Sequence, residues 1–73
     1  MVRREAFINK IRDKGFVYKT TQKRTYLYKK SGTTDYISVP KADLLEDEFV
    51  VSALRQHGCS KEEIEGFIAS AKS

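Results

Sequence analysis

Apolar residues recur along this 73-residue chain in two rhythms, and the changes between them mark out a helix, three strands and two more helices. In "VRREAFINKIRDKG", Phe7 and Ile11 stand four apart and Ile8 three before Ile11, with charges filling the other positions. That spacing predicts an amphipathic helix over residues 2–14. Gly15 follows the last periodic residue, where a left-handed backbone closes a helix, and Lys14 complements the negative end of the dipole. The period then falls to two. "FVYKT" (16–20), a stretch through "RTYLYKK" (24–30) and "DYISV" (35–39) are rich in β-branched and aromatic residues and are separated by the polar turns "TTQK" and "KSGTT". Pro40 ends the third strand by removing a ladder donor.

After Pro40 the helical period returns. Phe49, Val50, Ala53 and Leu54 predict a helix over 46–57, with the acids at 46–48 in its first turn and Gly58 closing it. "SKEE" then reads as a capping box, in which Ser60 accepts from the Glu63 amide while Glu63 reaches back. Ile64, Phe67, Ile68 and Ala71 share one face of a helix over 61–71. The order α-β-β-β-α-α predicts an α+β fold in one domain, residues 1–73, with a three-stranded antiparallel sheet packed on helices on one face.

On the third strand, Ile37 and Val39 point together and suit the helix-facing side, which leaves Tyr36 and Ser38 outward. The second strand is ambiguous. Leu27 facing the helices would put Tyr26 and Tyr28 in water; the tyrosines facing inward would expose Leu27 and bury more apolar area.

Charge changes the picture more than composition does. The net charge of +4 divides into ten Lys or Arg against two acids in residues 1–30, and four against eight in residues 31–73. A basic half of this kind suits an anionic partner, although it also describes an ordinary solvated surface. Lys19, Lys23, Arg24, Lys29 and Lys30 interleave with Tyr26 and Tyr28, the pattern in which lysines meet phosphates and aromatic rings stack on bases. These seven residues are the candidate nucleic-acid site, with RNA or another polyanion as partner.

Enzyme chemistry lacks its parts. The sequence contains no glycine-rich phosphate loop and no Ser-His-Asp set, and one cysteine with one histidine supplies no zinc ligand set. His57 and Cys59 lie two apart at a helix end, where side chains diverge, and read as cap-region residues rather than a nucleophile and its base. The carboxylates at 46–48 and 62–65 sit at helix starts as solvated faces. No catalytic residue, metal site or cofactor is expected. No apolar run approaches the roughly 20 residues that cross a bilayer, and Arg3 and Arg4 close behind Met1 begin no signal-peptide core, which points to a cytoplasmic chain without a membrane partner.

The element order and several local strings resemble the HicA-type toxins of toxin–antitoxin systems, whose fold is similar to the double-stranded RNA-binding domain. The resemblance extends over roughly residues 4–58. It rests on the helix-ending Lys14-Gly15-Phe16, the Val39-Pro40 pair at the end of the third strand, and the glycine, Gly58, that closes the next helix. The family's Gly-Ser-His signature falls on Lys23, Arg24 and Thr25, and its following aromatic on Tyr28. The resemblance implies an RNA-facing surface. It does not carry over the nuclease, because Thr25 occupies the position of the family's acid–base histidine and a hydroxyl does not exchange a proton near neutral pH. "ISVPKADLLED" also resembles, more distantly, the strand and helix start of AbrB-type antitoxins, which leaves homodimerisation open. The alternative to nucleic-acid binding is a protein-interaction or regulatory domain that uses the acidic third helix or a free sheet edge.

Overall fold

The first apolar stripe does form a helix, but two residues later than its periodicity suggests. In the computed structural model, which describes residues 1–72, α1 spans Arg4–Asp13 and buries Phe7 and Ile11. Before it, β1 (Val2–Arg3) pairs antiparallel with β5 (Leu44–Leu45), Val2 opposite Leu45. Val2 is fully enclosed in the core, and the Arg4 amide donates to the Asp43 carbonyl at 2.9 Å. Strand pairing thus buries Val2 and satisfies an amide that a helix start would leave without an internal partner.

Gly15 takes φ +98, and its amide donates to the Arg12 carbonyl at 3.0 Å, which ends α1 and turns the chain into the sheet. Strands β2 (Phe16–Thr21), β3 (Thr25–Lys30) and β4 (Tyr36–Pro40) form an antiparallel meander in that order. Tyr28 lies opposite Ile37, and Tyr26 opposite Val39. Residues directly opposite each other share a face, and Ile37 and Val39 are buried. The two tyrosines therefore turn toward the helices and Leu27 turns away, settling the ambiguity of the second strand in favour of the larger apolar area. The β2–β3 register shifts between Tyr18 and Thr20, which leaves Lys19 as the extra residue of a bulge.

The second helix, α2 (Asp47–Gln56), buries Val50, Ala53 and Leu54 and has Asp47 and Glu48 in its first turn. Its end is a Schellman motif. Gly58 takes φ +89, the Gly58 amide donates to the Arg55 carbonyl at 3.1 Å, and the Cys59 amide donates to the Leu54 carbonyl at 3.0 Å. Cys59 is buried and belongs to the same apolar cluster as Leu54.

Ser60 caps α3 (Lys61–Ala71) by accepting from the Glu63 amide at 3.1 Å. The reciprocal half of the expected capping box is not made. The Glu63 carboxylate instead accepts from Lys10 at 2.7 Å and Lys14 at 2.6 Å, both on or next to α1. Two charge-assisted bonds across helices outweigh one bond to a cap amide. They hold the Glu63 carboxyl down at about 2, the Lys10 bond contributing most.

The result is the expected α+β arrangement of one helix, three strands and two helices, with the small β1–β5 ladder added at the side. Phe7, Ile11, Phe16, Tyr28, Val39, Val50, Leu54 and Ile64 belong to one apolar cluster between the sheet and the helices.

Candidate nucleic-acid interface

The face of the sheet turned away from the core is uncovered. Val17 pairs with Lys29, Lys29 with Tyr36, and Leu27 with Ser38. These five side chains consequently occupy one open surface. Val17 is 51% and Tyr36 45% exposed, more than apolar or aromatic side chains at an interior sheet face would be. The Lys29 ammonium lies 6.0 Å from the centroid of the Tyr36 ring. The pair offers a π-face and a positive charge side by side, the two groups that a nucleotide's base and phosphate require.

Lys23 and Arg24 form the tip of the β2–β3 hairpin. The turn is closed by the Gln22 amide donating to the Thr25 carbonyl at 2.8 Å, and the Thr25 hydroxyl donates to Gln22 Oε1 at 3.2 Å. Neither tip residue takes a positive φ. The loop is therefore not one of the primed turns that match strand twist, and the nearby bulge at Lys19 supplies additional twist. Lys19, Lys23 and Arg24 are all exposed.

The electrostatics of the two layers differ. Residues 16–41 contain six Lys or Arg and a single acid, Asp35. Among the described residues, none of those six cations enters an ion pair. On the helix side several cations are matched: Lys10 and Lys14 share Glu63, and Lys72 lies 3.1 Å from Asp47. Bonding to Glu63 raises the Lys14 ammonium above its ordinary value, and Lys72 holds the Asp47 carboxyl below its own. Among the described residues, the sheet cations thus form a positive surface without carboxylate partners.

The seven residues singled out in the sequence do not gather into one patch. Arg24 and Lys30 stand about 20 Å apart along the extended chain, so the cations form a stripe from the hairpin tip to the far end of β3. Lys30 lies opposite Phe16 and faces the helix side near Gly15, at the border of the open surface. The expected stacking role of Tyr28 is corrected by its burial. The ring is 8% exposed and stands in the core beside Tyr18 at 5.9 Å, so a base has no access to its face. Tyr26 is half-buried, with the Arg4 guanidinium 5.4 Å and the Lys41 ammonium 5.6 Å from its centroid. The protein's own cations thus already lie against this ring.

Sequence reasoning missed Arg4 and Lys41 as neighbours of this strand because only the β1–β5 ladder brings them together; the Arg4 guanidinium also donates to the Lys41 carbonyl. Tyr36 carried a signal, its alternation with Ile37, but stood outside the basic run that defined the candidate site. Thr25 spends its hydroxyl within the turn. His57, the chain's one histidine, packs edge-on against Phe16 with centroids 4.9 Å apart. Among the described residues, no helix is long and apolar enough to cross a membrane.

Comparisons of the chain with models of known protein families, with curated proteins and with solved structures found no match.

Proposed function

We propose that this protein is a small non-catalytic nucleic-acid-binding module whose ligand is RNA, held on the open face of the three-stranded sheet. Its carrying observation is the stripe of sheet cations without ion-pair partners among the described residues, running past an exposed tyrosine. Lys19, Lys23, Arg24 and Lys29 contact phosphates, Lys30 contributes from the border, and Tyr36 stacks on a base or sugar with Val17 and Leu27 beside it. Tyr26 and Tyr28 support the sheet from within.

The resemblance to HicA-type toxins agrees with RNA as the ligand. The same resemblance argues against cleavage, because Thr25 takes the histidine position and His57 packs against Phe16 rather than on the open face. Binding of a fluorescein-labelled single-stranded RNA, followed by anisotropy at low salt, tests the reading. Tyr36→Ala is expected to weaken binding by roughly 5- to 150-fold, the equivalent of one lost stack at ~1–3 kcal/mol. Wild-type protein that fails to bind RNA at low salt would overturn the proposal.

A further inference from the structure

The half of the chain that is acidic overall contains a second surface of the opposite sign. Residues 42–73 include three cations, Arg55, Lys61 and Lys72, and seven acids. All three cations line a single groove of about 460 Å³ between α2 and α3, together with Glu65 as its one acid. The floor is apolar: Val51 comes from α2, and Ile64, Ile68 and Ala69 from α3.

Along α3 the lining residues recur at 61, 64, 65, 68 and 69, a helical stripe that begins at Lys61, and Lys72, just past the helix in extended backbone, stands at the far end of the groove. The 11 residues of α3 extend for roughly 16 Å, about three turns. Ile64 is buried beneath the floor, Val51 and Ile68 are half-buried, and Ala69 is exposed. The packing of α3 on the core has therefore left Ala69 and part of Val51 and Ile68 uncovered. Lys72 lies 3.1 Å from Asp47 and Lys61 4.0 Å from Glu65, whereas Arg55 has no carboxylate partner among the described residues.

We infer that this groove docks an acidic amphipathic helix of a partner protein. An apolar trough between two helices accepts the apolar edge of a third, with side chains at i, i+3 or i+4, and i+7. Arg55, the lining cation without a carboxylate partner, selects a carboxylate on the flank of that helix, and the excess of lining cations over Glu65 disfavours a basic one. The site is on different elements from the sheet face and does not depend on the nucleic-acid reading.

The test uses two labelled synthetic helices of about 14 residues, each with leucine at the i, i+3/i+4, i+7 positions, one flanked by glutamates and one by lysines. The full chain is titrated by fluorescence anisotropy, and amide shifts are mapped on ¹⁵N-labelled protein. The glutamate-flanked helix is expected to bind, to shift the amides of Val51, Arg55, Ile68 and Ala69, and to lose at least tenfold in affinity with Arg55→Glu or Ala69→Glu. Both substitutions are at exposed positions, and an unchanged thermal midpoint shows that the fold survives. Equal binding of the two peptides, or shifts confined to the sheet, would overturn the inference. So would a concentration-dependent dimer of the unliganded chain that Ala69→Glu dissolves, because the groove's occupant would then be a second copy.

Discussion

Replacing Lys23 and Arg24 together with alanine removes two of the five cations assigned to the RNA stripe without disturbing the turn that carries them. The closing bond uses the Gln22 amide and the Thr25 carbonyl, and the side-chain bond uses Thr25 and Gln22. The Arg24 carbonyl, which accepts from the Lys41 amide at 3.2 Å, is retained in alanine. For a single-stranded ligand each neutralised phosphate contributes a slope of about −0.7 to log K against log salt. Five contacts give about −3.5, and three give about −2.1. Between 50 and 200 mM salt the wild type should therefore lose affinity by ~130-fold and the double variant by only ~20-fold. The assay is anisotropy of a labelled RNA at four or five salt concentrations, paired with thermal denaturation. Exposed substitutions of this kind cost within ~0.5 kcal/mol, so the midpoint should move by no more than about 3 °C. An unchanged slope would return both residues to ordinary surface. A large fall in the midpoint would show that the hairpin tip supports the fold rather than the ligand.

The two faces of the sheet should respond oppositely to truncation: Tyr28→Ala should cost ~3 kcal/mol or more in urea denaturation and Tyr36→Ala less than ~0.5, with only Tyr36→Ala weakening RNA binding in a folded protein. Glu63 contributes to stability through its ionised form, since its folded carboxyl is held at about 2 against an ordinary 4.5. That contribution is complete above pH ~4.5 and is lost as the pH falls toward 2. Stability measured from pH 6 to pH 2 should thus decline less steeply in Glu63→Gln than in the wild type, and superimposable slopes would contradict the Lys10–Glu63–Lys14 link. Gly58→Ala meets no neighbouring atom but must hold φ +89, so a loss of ~1–2 kcal/mol is expected from backbone strain alone; a neutral result would mean that the Schellman turn can relax.

Periodicity made the main elements legible. Phe7 and Ile11, Ile37 and Val39, and Val50 with Leu54 all lie on the buried sides that their spacing implies. The end of α2 was equally visible, because Gly58 marks a left-handed position in the chain as clearly as in the fold. The β1–β5 ladder was not. Two-residue strands have too few positions to show a period, and Val2 pairs with Leu45 across more than half the chain. Tyr26 and Tyr28 marked the basic strand as a binding surface in the sequence, yet both are supports for it, since alternation states that they share a face without stating which one. The destination of Glu63 was hidden for a similar reason. Its capping position is local, whereas Lys10 and Lys14 reach it only once α1 and α3 have packed.

Amide chemical-shift mapping of ¹⁵N-labelled protein titrated with a short RNA would locate the proposed ligand surface on the open sheet face. Progressive shifts are expected at Val17, Leu27, Lys29, Tyr36 and Ser38 and at the Lys23–Arg24 tip, with Val51, Ile68 and Ala69 unmoved. Shifts centred on the α2–α3 groove, or a spectrum unchanged at millimolar RNA in low salt, would contradict that placement.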